Sequence, residues 1–119
     1  MYKVMIFLKR RQDLTPEAFR EYYEQQHGPL CQKYMQGVAR YTRRYVEPVA
    51  NPELPGSGDV GFDVVTEVWF DDREAYEGML KYAARGILPE EVIADEEKLF
   101  DRSQTRFCTV IEHDTPMAS

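Results

Sequence analysis

The sequence predicts an α+β fold of ferredoxin-like type, β-α-β-β-α-β, with one four-stranded antiparallel sheet and helices on one face. Three observations predict it. Four short segments rich in β-branched and aromatic residues are spread along the chain. Helical periodicity separates the first from the second and the third from the fourth. A Pro/Gly/Asn-rich stretch joins the middle two directly. That order is the split βαβ arrangement.

Residues 2–9, YKVMIFLK, supply the first strand, and basic residues close it. Thr15-Pro16-Glu17 starts a helix: a hydroxyl cap, a proline at the first helical position and an acid at the positive end of the dipole. Phe19, Tyr22, Tyr23, His27, Leu30 and Tyr34 then recur at spacings of three and four, which places them on one helical face. Pro29 would clash with the carbonyl of Gln25 in an undisturbed helix, so a kink or a fresh turn is expected at His27.

Residues 38–47 read as the second strand. Arg40, Thr42 and Arg44 lie on one face, Tyr41, Arg43 and Tyr45 on the other. Residues 48–61, PVANPELPGSGDVG, are a loop longer than most connections in compact domains. Residues 62–70, FDVVTEVWF, form the clearest strand, with Phe62, Val64, Val68 and Phe70 facing one way and Val65 and Trp69 the other. Asp71 or Asp72 caps a helix through Tyr76, Met79, Leu80 and Ala83. Residues 86–89 break it, an acidic helix runs from Pro89 to near Phe100, and residues 106–112 read as the last strand. A sheet apolar on both sides but covered on one exposes a sticky face, so a homodimer joined sheet to sheet is expected.

The 119 residues fit one domain, spanning 1–119, with 43% hydrophobic and 30% charged residues. A net charge of -6 argues against nucleic acid as a partner. The clusters Lys9-Arg10-Arg11 and Arg40, Arg43, Arg44 read as solvated surface. Cys31 and Cys108 stand far apart with no C-x-x-C spacing, so reduced thiols in a cytoplasmic protein are expected. The N-terminal apolar run is too short and too alternating for a signal peptide or membrane span, and no membrane association is expected. Two histidines 86 positions apart offer no spaced cluster, so no metal is expected.

The candidate chemistry centres on His27. Its spacing from Phe19 and Tyr23 turns it toward the sheet, and an imidazole can take or give a proton near neutral pH. The competing reading is a histidine that packs and bonds to a carbonyl. Tyr41 is a candidate donor to a carbonyl or enol oxygen, or else a strand aromatic packed under a helix. Glu67, in an apolar strand, needs a partner if buried. It could orient His27, act as a second acid/base, or pair with Arg40 or Arg44 as a structural bridge. Tyr23, Trp69, Phe62 and Phe70 are candidate walls of a substrate pocket, with core packing the alternative for each. Asp95 and Asp101 read as parts of a solvated acidic helix, and His113 as surface. No G-x-S-x-G elbow is present.

The segment LTPEAFREYYEQQHGPL resembles the signature of the EthD family, whose helix carries a phenylalanine, an aromatic pair and then His-Gly/Ala-Pro. Tyr41, the EVWFDD strand end with Glu74-Ala75, and DEEKLFD at residues 95–101 extend the resemblance in order. It implies a dimeric α+β barrel with a pocket between sheet and helices in each subunit, and His27 as its base. Members resembling polyketide cyclases or dehydratases and methylmuconolactone isomerases act without metal or organic cofactor. The resemblance therefore implies an isomerase, lyase or cyclase for a small aromatic, polyketide-like or lactone metabolite. A cofactor-free monooxygenase and a non-catalytic dimeric accessory protein of a degradation pathway are the alternatives. The loop at 48–61 and the segment at 84–91 depart from the simplest members, so the resemblance does not carry over the substrate.

Overall fold

A computed structural model describes residues 1–55, 58, 60–86 and 88–118; positions 56, 57 and 59 of the long loop and 87 of the helix break lie outside the described residues. Four strands, β1 (Tyr2–Leu8), β2 (Arg40–Tyr45), β3 (Val64–Phe70) and β4 (Arg106–Thr109), form one antiparallel sheet in the spatial order β2-β3-β1-β4. The helices are α1 (Pro16–Tyr22), continued by a wide turn (Tyr23–His27) into α2 (Gly28–Gln32), then α3 (Arg73–Arg85) and α4 (Glu90–Leu99). A single 3-10 turn (Arg102–Gln104) leads into β4. This is the predicted α+β, ferredoxin-like order.

The local signals act as read. Thr15 Oγ1 accepts the Ala18 N–H at 3.1 Å with Pro16 beginning α1. Asp72, rather than Asp71, caps α3, accepting from Glu74 and Ala75 N–H at 3.4 and 3.2 Å. Gly86 ends α3 at φ 65°, the left-handed conformation that costs glycine least.

β3 and β1 are the interior strands of the sheet, and all but Trp69 of the β3 residues are buried. Val4 and Leu8 of β1 and Val64, Val68 and Phe70 of β3 meet the helices. One cluster joins Leu8, Val64, Phe19, Tyr23, Leu99 and Phe100; the other joins Val4, Val68 and Phe70 to Ala75, Tyr76, Met79 and Leu80 of α3. Burying side chains of this size stabilises by roughly 1.5–3 kcal/mol each. Both clusters lie on the same face of the sheet, and among the described residues no helix covers the other.

Several boundaries shorten. β4 ends at Thr109 rather than residue 112, and all four of its residues are exposed, since it is a sheet edge. The first helical stretch ends at Gln32, so Tyr34 leaves the expected face; it is exposed, and its hydroxyl donates to Glu91. Phe62 precedes β3 and escapes its alternation: it meets Phe7 edge-on at 4.8 Å, on the uncovered face rather than with Val64.

Candidate active site

The kink expected at His27 takes the form of a widened helical turn. The Gly28 N–H reaches back five residues to the Tyr23 carbonyl, one further than in an α-helix. The extra residue rotates the next helical turn and gives Pro29, at the second position of α2, a place without breaking the helix. A Cβ on Gly28 would sit 3.0 Å from that Tyr23 carbonyl oxygen, so the close approach favours glycine there. His27 closes the turn and is 2% exposed.

Its ring is held on every side. Nδ1 lies 2.7 Å from Asp95 Oδ2, and Nε2 lies 3.3 Å from Cys31 Sγ. Tyr23 and Phe100 meet the imidazole edge-on, each at 5.3 Å. A carboxylate only accepts, so the Asp95 contact places the proton on Nδ1 and leaves the Nε2 lone pair facing Cys31. Asp95 also accepts from the Tyr22 hydroxyl at 2.5 Å; that bond, with burial and the carboxylate charge, pushes the phenol up to about 12. Asp95 is thus no solvated acid. It is 9% exposed and fixes the orientation of the histidine from α4.

Beside this pair runs a chain of hydroxyls. Tyr41 donates to the Tyr23 hydroxyl at 3.3 Å, and the Tyr23 hydroxyl shares a 2.6 Å bond with Thr66 Oγ1. Burial dominates the shift of Tyr23, pushed up to about 12, and raises Tyr41 further still. Both phenols are therefore neutral donors at physiological pH. Tyr41 is half-buried, whereas Tyr23 is sealed.

The remaining predicted residues lie elsewhere. Glu67 follows Thr66 in β3, so its side chain leaves the opposite face of the sheet. There Arg44 Nε donates to it at 2.9 Å and Trp69 Nε1 at 3.1 Å, with Lys3 Nζ at 3.8 Å. Burial raises its pKa, but Arg44, Lys3 and Trp69 outweigh that and hold it below the usual carboxylate range. Glu67 does not orient His27; it is the bridge to Arg44. Arg40 instead stands over the Trp69 ring, 5.2 Å from its centre. Trp69 and Phe62 therefore line the uncovered face, and Phe70 is 2% exposed core, so of the four predicted pocket walls only Tyr23 touches His27.

Cavities open on the surface, among them these two. One, about 630 Å³, lies between the end of β1 and α4, lined by Arg11, Asp13, Glu97, Phe100 and Arg102 among others. The second, about 270 Å³, is an apolar slot between α3 and β4. His27 lines neither; Phe100 alone joins the larger one to the imidazole. Among the described residues no group of His, Cys, Asp and Glu is arranged to hold a metal, and no helix is long and apolar enough to cross a membrane.

Comparison with known proteins agrees with this architecture. The EthD domain matches residues 11–103. No curated protein matches the sequence. An ethyl tert-butyl ether d (EthD) family protein from Bacillus halodurans superposes with a TM-score of 0.58 at 21% identity, covering 95% of this chain and 100% of that one. A protein of Arabidopsis thaliana gives 0.57 at 12% identity over 98% of this chain and 100% of that one. HapK from Hahella chejuensis gives 0.55 at 10% identity, covering 100% of this chain and 99% of that one. At these identities the likeness is one of fold.

Proposed function

The chain belongs to the EthD family, and we propose that it is a cofactor-independent isomerase, lyase or cyclase working by proton transfer through His27. Its substrate class is a small aromatic, polyketide-like or lactone metabolite. The observation that supports this most is the buried His27–Asp95 pair at 2.7 Å, placed beside neutral phenols. Asp95 fixes the tautomer, Nε2 is the proton acceptor, and Tyr41, half-buried, is the donor to a developing oxyanion. The side chains packed around the imidazole keep competing water away from the transferred proton.

The active species is a homodimer. Phe7, Phe62 and Trp69, all partly exposed, make the uncovered face partly apolar, and a second copy laid on it would remove them from water. Analytical ultracentrifugation at micromolar concentration checks this; a single species at the 14.0 kDa chain mass defeats it.

Screening of lactones and polyketide-like phenols tests the activity, with proton exchange at carbon followed by NMR. His27→Ala is expected to remove turnover; an active His27→Ala takes the imidazole out of the mechanism. A second reading, a non-catalytic dimeric accessory protein, draws on the 2% exposure of His27. It predicts equal ligand affinity with and without the imidazole.

A further inference from the structure

Cys31 is the one group at the buried imidazole that the mechanism above leaves idle. It lies in α2, one turn beyond His27, with its sulfur facing Nε2 at 3.3 Å. Because Asp95 engages Nδ1, the thiol proton points at the free lone pair. Asp95, His27 and Cys31 thus stand in series as orienting carboxylate, base and thiol, an arrangement recognised by geometry rather than by order in the chain. His27 is sealed, but Cys31 is only partly buried. Of the two, Cys31 is therefore the residue nearer to solvent.

We propose that Cys31 is the nucleophile of this site, its sulfur adding to the β-carbon of a small conjugated unsaturated carbonyl compound while its proton passes to His27. The proposal rests on the reading of His27 and Asp95 as a proton carrier. A soft sulfur suits an electron-poor alkene carbon. As the S–C bond forms, the alkene electron pair moves onto the carbonyl to give an enolate, and the proton on Nε2 makes an imidazolium facing Asp95. Tyr41, whose hydroxyl otherwise donates to Tyr23, is the donor to the enolate oxygen. Return of the proton to the α-carbon completes the addition. Removal of an α-proton and departure of the sulfur reverses it and releases an alkene of changed geometry. No oxidant or reductant takes part.

The groups facing the sulfur are His27 from the wide turn, Asp95 and Glu96 from α4, and Tyr41 from β2. Burial, then the Glu96 and Asp95 charges, push the thiol up to about 12, with Tyr41 opposing the rise. The thiol is therefore protonated near neutrality and reacts only as a base takes its proton. Reactivity there reports on His27.

The test uses N-ethylmaleimide, a conjugated carbonyl, with peptide mass spectrometry separating Cys31 from the exposed Cys108. In the unaltered protein, labelling of Cys31 is expected to change less than about tenfold between about pH 6 and 9. An unassisted thiol gains about tenfold per pH unit over that range. Asp95→Asn and His27→Gln, close in shape, are expected to slow Cys31 at least about tenfold and leave Cys108 unchanged. A Cys31 rate that tracks hydroxide, no adduct at Cys31, or variants that label at the unaltered rate overturn the proposal. Once a substrate is found, Cys31→Ala separates the two readings. Turnover lost in both Cys31→Ala and His27→Ala supports a covalent route. Turnover kept in Cys31→Ala but lost in His27→Ala removes the nucleophile and leaves the proton carrier.

Discussion

Thr66 and Glu67 are neighbours in the central strand, yet they serve opposite faces of one sheet. Thr66 turns to the helices and joins Tyr23 and Tyr41, next to the His27–Asp95 pair. Glu67 turns to the uncovered face and joins Arg44, Lys3 and Trp69. Each is 4% exposed or less. The first network is built from neutral hydroxyls and one imidazole–carboxylate pair under two clusters of hydrocarbon. The second is built from full charges lying along a surface that solvent or another subunit must cover. Burial alone therefore does not mark a reactive group. The kind of partner decides whether a buried polar side chain is held ready to exchange a proton or locked as an ion pair.

That contrast can be broken most sharply through His27. His27→Ala is expected to lower turnover on a validated substrate by about 10²–10⁴ and to leave the sedimentation coefficient unchanged; Glu67→Gln should leave the rate near that of the unaltered protein. Equal losses in the two variants would erase the distinction between the faces. Next in size, Phe19→Ala removes the ring that meets Tyr23, Tyr45 and Phe100 edge-on, and should cost about 3–5 kcal/mol in urea unfolding.

Glu67→Gln should cost about 1–3 kcal/mol, toward the low end because the Arg44 side chain is 57% exposed and can rehydrate. Its pH dependence has a definite sign. A carboxylate held below its ordinary value contributes stability that is present above about pH 4.3 and is lost as pH falls through the depressed native value. The difference between the unaltered protein and Glu67→Gln should therefore be widest near neutrality and close under acid. A gap that widens in acid contradicts the assignment. Smallest, Thr66→Val leaves the Tyr23 hydroxyl with only Tyr41 and should cost about 1 kcal/mol, measured as a shift in denaturant midpoint.

Much of the fold is legible in the sequence because local chemistry writes it. Thr15-Pro16, Asp72 and Gly86 mark helix ends through caps and backbone preference, and residues 64–70 declare a central strand by being apolar on both sides. Of the candidate site, spacing and strand position point to His27, Tyr23 and Tyr41, and the structure brings these three together. Asp95 and Thr66 escape such reasoning. Asp95 enters the sequence reading only as part of the DEEKLFD segment, a threonine among valines carries no signal of its own, and a partner 68 positions away becomes visible only when α4 docks on the wide turn. Spacing relates Cys31 to Cys108, whereas its relevant neighbour is four residues back along the helix. Phe62 departs from expectation for a different reason: alternation holds only while residues pair, and its strand begins two residues later.

By itself the sequence determined the element order, the helix ends and the disturbance at Gly28-Pro29, because caps, proline sterics and side-chain periodicity act over a few residues. Tertiary structure alone decided which carboxylate meets the histidine. Asp95 and Glu67 are both buried acids, and only the docking of a helix and the pleat of a strand separate the one that orients an imidazole from the one that neutralises an arginine.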